Sequence, residues 1–367
     1  MLPPPAFPDL LPRRLHHQRL TAPNLPNPAG VVEHLLAVQS QDYLGAKWAL
    51  AQRTPPDAGF TDAQLDDLFA RGDFLRTHVL RPTWHFVLPA DLVWLQALTG
   101  PRVQAGNASM ARKLELDAAT LRRGVTAMTK ALRDGNFLTR DELAEVLARA
   151  RIPATGQRLA YLVMHAELEA ILCSGPRRGK QFTYALVAER APNARVLPRD
   201  EALAELARRF IRSRGPCTPR DLAKWSSLTL ADARAAFESV KSHFISETAN
   251  GETYWFPDDP PPAWGKAPIG LLLSNYDEYV SSYADACAYG DPDAISRLST
   301  STLYSYLHYL VVNGRIVGLW KRTLNPHSVA IEPLLFAPLA KAEQSALIRA
   351  AAPFGAFMGL PVNLDSR

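Results

Sequence analysis

The chain has 367 residues, of which 47% are hydrophobic and 21% are charged, and it carries a net charge of +5. This composition is that of an ordinary globular protein and excludes a disordered or fibrous chain, and the length predicts about two to three domains. A run of about 18 apolar residues is absent, which excludes a membrane-spanning helix, and the mild basic excess permits a polyanionic partner without requiring one.

The first elements predicted along the chain are helices. Apolar residues at helical spacing predict helices over residues 10–20 and 29–38, and the second helix places the triplet Gln39-Ser40-Gln41 at its C-terminal end. Thr61-Asp-Ala-Gln64 opens a further helix with the pattern of a capping box.

A β-hairpin is predicted next. Residues 74–81 and 84–88 have the composition of short strands, and Pro82-Thr83 separates them. Helices followed by a hairpin are the order of a winged helix, which is a module that binds DNA.

Residues 89–135 predict amphipathic helix with an interruption near Gly100-Pro101. Thr139 and Glu142 then form a capping-box pattern at the start of a helix. A second helix over about 156–172 leads into a strand, turn and strand over 173–186, which predicts a second hairpin, or wing.

The same order of elements recurs 79 residues later, from Thr139 to Thr218. Thr218 is followed by Asp221 at the capping-box position, by a helix over about 230–241 and by a hairpin over 244–256. The Asn250-Gly251 pair in that hairpin is typical of a two-residue turn between strands. The repeat predicts tandem winged helices.

Beyond the proline-rich linker at residues 258–262, the pattern changes to mixed helix and strand. Strands are predicted over 269–273, 310–320 (a hairpin), 328–335 and 360–364, and a helix over 341–351. The predicted fold class is therefore α+β, with mainly helical tandem winged helix-turn-helix modules followed by a C-terminal α+β domain.

Four units follow from these elements. They are an N-terminal winged-helix module with the glutamine triplet, a second and a third winged-helix module, and the C-terminal α+β domain, over residues 1–100, 101–192, 193–260 and 261–367.

Cys173, Cys217 and Cys287 are isolated from one another and form neither a CxxC pair nor a Cys/His cluster. The histidines, including His16-His17, show no ligand spacing either. These patterns argue against disulfides and zinc and favour a reducing, cytoplasmic compartment. We expect a monomer that needs no cofactor or metal and has no membrane partner.

By itself, a polar triplet at a helix end most often caps the helix or meets solvent. Its surroundings make it recognisable, because residues 38–50 resemble the QxQ region of the AlkZ-type (YcaQ-like) winged-helix DNA glycosylases. Three further segments resemble that family in the same order, and together with the triplet they span most of the chain. They are His78–His85, similar to its Arg-x-Thr-x-His hairpin; Leu273–Tyr279, similar to its Phe-Asp-Glu-Tyr segment; and Val312–Trp320, similar to its C-terminal hairpin.

Two positions depart from the family pattern. Ser40 stands where the family usually has a small or aliphatic residue, and Tyr276 replaces the Phe before Asp-Glu-Tyr. Neither change removes a proposed catalytic atom.

The resemblance implies a monofunctional glycosylase that hydrolyses the N-glycosidic bond of N7-alkylated purines in double-stranded DNA, including purines in interstrand crosslinks. It assigns catalysis to Gln39 and Gln41. A cationic N7-alkylpurine is already a good leaving group, so the enzyme needs only to position water and to stabilise the oxocarbenium-like sugar. A glutamine carbonyl accepts a hydrogen bond from that water, and a neutral glutamine is too weak a base to act readily on normal purines.

Other residues are candidates for contact with DNA or for lining the site. Arg177, Arg178 and Lys180 at the wing tip are candidates to bind phosphates, although a solvated turn is the alternative. Candidates to line the site are Asp42, Thr83, Trp84, His85, Asp277 and Tyr279. A capping or surface role is the alternative for Asp42, and a packing role for the hairpin residues.

Phosphate-binding loops, GxSxG and HExxH motifs are absent from the sequence. Two other functions stay open on the sequence alone. The first is a non-catalytic winged-helix protein such as a transcriptional regulator, and the second is a set of winged helices that contact protein rather than DNA.

Overall fold

The computed structural model describes residues 7, 9–249, 251–261, 265–285, 289–290, 292–296 and 298–364. Asn250 of the predicted turn, Pro262 of the linker and Cys287 lie outside the described residues. Within these ranges, no helix combines the length and the apolar character that crossing a membrane requires.

The N-terminal part combines four helices with a three-stranded sheet of order β1-β3-β2. Its elements are α1 (Leu10–His17), α2 (Pro28–Leu35), β1 (Ala37–Gln39), α3 (Tyr43–Ala51), α4 (Asp62–Arg71), β2 (Leu75–His78) and β3 (Trp84–Val87). The predicted hairpin is confirmed as β2 and β3, and the capping box of Thr61 and Gln64 is present at the start of α4.

The predicted position of the glutamine triplet at a helix end is wrong. Helix α2 ends at Leu35, because Leu36 adopts a positive φ of 68° that interrupts the helix. Ala37, Val38 and Gln39 then pair antiparallel with β3, so that the triplet begins in a strand at the edge of the sheet. A short apolar run fits a buried strand as well as a helix, which is why periodicity misplaced it.

The next part contains a three-stranded sheet of order β4-β6-β5. Its elements are α5 (Pro89–Lys113), α6 (Ala118–Leu132), β4 (Leu138–Thr139), α7 (Arg140–Arg149), α8 (Gly156–Leu168), β5 (Leu172–Arg178), β6 (Gln181–Leu186) and α9 (Val187–Arg190). The predicted interruption at Gly100-Pro101 is wrong, since α5 runs through it. Gly100 is placed there by packing, because a Cβ on it would lie 2.7 Å from the carbonyl oxygen of Leu168.

The third part repeats this order with a two-stranded hairpin. Its elements are α10 (Arg199–Arg214), α11 (Pro219–Ser226), α12 (Leu230–Val240), β7 (Ile245–Ala249) and β8 (Glu252–Phe256). Thr139 and Thr218 each form a capping box with the acidic residue three positions later, which confirms the repeated helix starts.

The C-terminal part is a five-stranded sheet of order β13-β12-β11-β10-β9, in which only the β12–β13 pair is parallel. Its elements are β9 (Gly270–Leu273), α13 (Glu278–Ser281), α14 (Pro292–Ser296), α15 (Thr300–Ser305), β10 (His308–Val312), β11 (Arg315–Asn325), β12 (Ser328–Leu335), α16 (Lys341–Met358) and β13 (Val362–Leu364). The strands and the helix predicted here are confirmed, and the architecture is a mixture of helices and strands.

Hydrophobic clusters connect these parts. One cluster joins residues of α2, α3 and β3 to the C-terminal sheet and α16, and Trp48 stacks edge-on against Phe354 at a centroid distance of 5.3 Å. Another joins α1 to α10, α11 and α12. A third lies wholly within residues 116–186. Ala37 of β1 belongs to the cluster with α10, α11 and α12, and Val38 belongs to the cluster with the C-terminal sheet. Strand β1 therefore packs against both the third and the C-terminal parts of the chain.

Candidate active site

Gln39 ends strand β1, and its side chain is 7% exposed. Its Nε2 donates to Thr83 Oγ1 at 3.2 Å, and its backbone N donates to Glu278 Oε1 at 3.0 Å. Because Nε2 is directed at Thr83, the carbonyl Oε1 is the end of the amide that stays available to accept a hydrogen bond.

Ser40 and Gln41 follow directly after the strand. The Ser40 backbone N donates to Trp84 O at 2.8 Å, and its carbonyl accepts from the Arg76 guanidinium at 3.2 Å. The Ser40 side chain is fully buried, and its hydroxyl has no hydrogen-bond partner among the described residues. Gln41, in contrast, is exposed at the bend before α3.

The Arg-x-Thr-x-His segment is a hydrogen-bonded unit beneath Gln39. His85 Nδ1 donates to Thr83 O at 3.0 Å, and His85 Nε2 accepts from Arg81 Nη2 at 3.3 Å. Burial, helped by the charge of Arg81, lowers the pKa of His85 well below its usual value, so the ring is neutral. A neutral ring with its proton on Nδ1 satisfies both bonds.

A cavity of about 490 Å³ opens beside Gln41, between the end of β1 and the hairpin β5–β6. The Arg76 guanidinium forms part of its wall and lies 4.4 Å from the ring centre of Trp84 and 4.3 Å from that of Phe182. Burial is the largest influence on this group and lowers the pKa of Arg76 to about 10, so it stays charged at neutral pH. The wall is completed by Arg140, Asp141, Lys180 and Tyr184, among others.

The three basic residues predicted at the wing tip have different surroundings. Arg178 Nη1 lies 2.6 Å from Glu142 Oε1, and Arg177 lies over the Tyr43 ring at 4.9 Å and pairs with Asp66 at 3.8 Å. Lys180 lines the cavity and makes no ion pair within the described part of the chain. Of the three side chains, that of Lys180 is therefore the one without an ion-pair partner among the described residues.

The predicted lining residues separate into two groups. Thr83 accepts a hydrogen bond from Gln39, and Trp84 lines the cavity. His85 is buried and bonds to the carbonyl of Thr83. Asp277 and Tyr279 do not line it, because both are buried: Asp277 forms two bonds to Arg53 at 2.8 and 2.9 Å, and the Tyr279 hydroxyl donates to Gly314 O at 2.8 Å.

Asp42 has both a capping and an electrostatic role. Its side chain accepts from Gly45 N at 3.1 Å as the N-cap of α3, and it also accepts from Arg322 Nη2 at 3.0 Å. Because both carboxylate oxygens of Asp42 are engaged by Gly45 N and Arg322, the capping interpretation describes it better than a catalytic one.

Several residues near the site were not predicted. Arg76 and Phe182 form the cavity wall, and Arg140 and Asp141 reach it from the first turn of α7. Arg140 and Asp141 lie within the capping-box pattern of Thr139 and Glu142. The start of a helix already explains these residues, so the sequence did not indicate a site. Arg76 was missed for a similar reason, because it lies in residues 74–78, whose composition is explained by a strand.

One cluster has the residue types of a metal site. His16, His17 and Asp259 bring one ligand atom each within 4.8 Å of one another. However, His17 Nδ1 lies 2.6 Å from Gly215 O and its Nε2 lies 3.1 Å from Asp259 O. Both ring nitrogens of His17 therefore lie within hydrogen-bonding distance of backbone carbonyl oxygens.

The chain is similar to known proteins over most of its length. The model of a family described as DNA glycosylase AlkZ-like matches residues 32–357. An interstrand DNA cross-link repair glycosylase of Streptomyces sahachiroi is 25% identical over 333 residues, which cover 84% of this chain and 85% of that protein. The solved structure of the Streptomyces sahachiroi DNA glycosylase AlkZ matches with a TM-score of 0.76 at 20% identity, covering 97% of this chain and 98% of that one, and so has the same fold.

Proposed function

Because this chain belongs to the AlkZ-like DNA glycosylase family, and is thus an enzyme of DNA repair, we propose that it hydrolyses the N-glycosidic bond of cationic N7-alkylated purines with Gln39 and Gln41. The family predicted from the sequence is confirmed. The substrate and the two catalytic residues are the proposal.

The orientation of Gln39 supports this assignment most directly. Thr83 holds the amide nitrogen, so the carbonyl oxygen is presented to a water molecule and to positive charge that develops on the sugar. Hydrolysis of a cationic purine needs no strong general acid, because the base leaves as a neutral molecule. Gln39 positions the attacking water, and Gln41 beside it stabilises the sugar or anchors the nucleotide.

The cavity beside Gln41 is proposed to receive the damaged nucleotide. Its volume of about 490 Å³ is ample for a purine with an alkyl substituent, and Trp84 and Phe182 contribute aromatic surface to it. The relative from Streptomyces sahachiroi is named for the repair of interstrand cross-links. We extend that substrate class to this chain, since an open cavity leaves room for a substituent that continues to a second base.

Duplex DNA is proposed to bind the tandem modules, which we interpret as winged helices. In each of the second and third parts, two helices precede a hairpin, and the first helix starts with a capping box. Residues 101–192 contain 15 Lys and Arg against 9 Asp and Glu, while the whole chain has a net charge of +5. The positive charge that attracts a polyanion is thus concentrated in the second module.

The proposal is tested by release of 7-methylguanine from N7-methylated duplex DNA under single-turnover conditions. Gln39→Ala and Gln41→Ala should each lower the rate by at least about 100-fold, as loss of an electrostatic stabiliser does, with the Kd for DNA nearly unchanged. Gln344→Ala, which changes an exposed glutamine of α16, is the matched control. An inactive wild-type enzyme would contradict the proposed substrate, and active glutamine variants would contradict the proposed residues. A cross-linked duplex in the same assay tests the extension.

A further inference from the structure

The carboxylate of Glu278 is fully buried, at the start of α13. Its Oε1 accepts from the backbone N of Gln39 at 3.0 Å. Its Oε2 accepts from Arg214 Nη2 at 2.6 Å, from Trp225 Nε1 at 2.7 Å and from Ser282 Oγ at 3.1 Å. Four donors around one carboxylate make a fully satisfied buried anion rather than an isolated charge.

Arg214 completes this arrangement from the end of α10. Its Nη1 donates to Leu35 O at 2.8 Å, and its Nη2 lies 3.4 Å from Ala37 O. Burial alone would raise the pKa of Glu278, but Arg214 and then Arg81 lower it below its usual value, so the carboxylate is charged.

The contacts with Ala37 and Gln39 lie on the edge of β1 that faces away from β3, and the contact with Leu35 lies at the adjoining end of α2. On this side Arg214 contacts the carbonyls of Leu35 and Ala37, and Glu278 contacts the N–H of Gln39. An unpaired strand edge of this kind normally needs a neighbouring strand or solvent. Here the Arg214–Glu278 ion pair takes the place of that strand, with the cation on the carbonyls and the anion on the N–H.

We infer that Glu278 is a positioning residue for Gln39, which fixes the catalytic strand from its open edge without touching the substrate. This inference rests on the proposed function. Thr83 orients the Gln39 amide, and Glu278 sets the place of the backbone that carries it. A charge-assisted bond to a single backbone N–H is well suited to this, because it is strong and directional. The geometry thereby gives the Asp-Glu-Tyr segment a role that the sequence left unexplained.

The neighbouring residue offers a matched control. Asp277 is also buried and also pairs with a buried arginine, Arg53, but none of its hydrogen bonds within the described ranges reaches the glutamine strand. Glu278→Gln and Asp277→Asn are therefore comparable in burial, size and loss of an ion pair. We expect Glu278→Gln to lower the single-turnover rate of 7-methylguanine release at least about tenfold, with the Kd for DNA within about twofold of wild type. Asp277→Asn should keep the rate even where its stability falls as far.

A double-mutant cycle separates positioning from general damage. If Glu278 acts through Gln39, then Glu278→Gln should lower the rate little further when Gln39 is already alanine. Equal losses of rate in the Asp277 and Glu278 variants, or additive losses in the cycle, would overturn the inference. Should Glu278→Gln not fold, Glu278→Asp is the alternative, because the shorter side chain keeps the charge for Arg214 but withdraws it from Gln39. It is then compared with the Asp277 variant and used in the double-mutant cycle in the same way. Wild-type inactivity would instead count against the proposed function itself.

Discussion

Ser40 lies between Gln39 and Gln41, and its hydroxyl group has an unusual environment. The side chain points into the core, where the family pattern has a small or aliphatic residue, and its Oγ has no partner among the described residues. The contacts that Ser40 makes with Trp84 and Arg76 use its backbone, which any residue would supply. We therefore expect the Ser40 hydroxyl to affect the stability of the fold more than catalysis.

This interpretation predicts that Ser40→Ala keeps the rate of base release within about twofold. It should also keep or raise the free energy of unfolding, by up to about 1 kcal/mol, because a buried unpaired hydroxyl is removed. Ser226→Ala is the control, since that buried hydroxyl donates to Leu222 O at 2.6 Å and its removal should destabilise the protein. Urea denaturation and the single-turnover assay measure both. A drop in rate as large as that of Gln39→Ala would assign the hydroxyl to the site.

At the scale of elements, Lys180 of the turn between β5 and β6 is the predicted phosphate contact that the following variant tests. Lys180→Ala should weaken duplex binding and lower the slope of log K against log salt by about 0.9, the value for one phosphate contact. Arg178→Ala is the control, because Arg178 is already paired with Glu142. Binding isotherms at several salt concentrations test this. A steeper loss for the arginine variant would mean that DNA replaces Glu142 as its partner.

The packing of helix α5 against α8 requires Gly100, which the sequence pattern had suggested to be a helix break. Gly100→Ala should lower the free energy of unfolding by about 1–3 kcal/mol, because the new Cβ would press on the Leu168 carbonyl at 2.7 Å. In the same helix, Gly106→Ala meets nothing within 4 Å and should stabilise the protein by about 0.5–1 kcal/mol. Thermal or urea unfolding of the two variants gives the comparison. Equal effects would show that the approach of α8 is not what requires the glycine.

Some of these elements could be predicted from the sequence and others could not. The capping boxes, the hairpins and the C-terminal strands were predictable because their signals are local, lying within a few residues of one another. The strand β1 was not predictable, since a strand of three residues is too short to show a period and its partner β3 follows some 50 residues later.

The contacts of Glu278 were beyond the sequence for the same reason. They join residues 39, 214, 225 and 278, and no pattern in one chain reveals such a meeting. The glutamines themselves were found only through the family resemblance, because a polar triplet has many ordinary explanations.

For the whole molecule, buried and half-buried histidines predict a stability that depends on pH. Burial lowers the pKa of His34 and of His308 to about 4, and it also lowers the pKa values of His17, His85 and His165. Each group has a lower pKa in the folded chain than in the unfolded one, so the unfolded chain binds more protons. Stability should therefore be full above about pH 6.5 and decrease as the pH falls toward 4.

Each neutral buried histidine adds up to about 1.4 kcal/mol per pH unit to that slope. Urea unfolding at pH 7.5, 6.0 and 5.0 measures it, and His34→Gln, which keeps a donor for the His17 carbonyl, should reduce the slope. Glu278 acts in the same direction at still lower pH, since its pKa is below the usual value in the folded chain. A stability that is flat between pH 7.5 and 5.0 would contradict the burial of these rings.

The bond between Gln39 and Glu278 spans 239 residues of chain, and this distance has a consequence during synthesis. A ribosome adding roughly 5–20 residues per second makes the glutamine strand on the order of 10–50 seconds before the carboxylate that secures its edge. A chain that ends before Glu278 would carry both glutamines but would lack the carboxylate that accepts from the N–H of Gln39. If Glu278 positions Gln39 as inferred, base release has to wait until the segment that carries Glu278 has been made and has folded against β1.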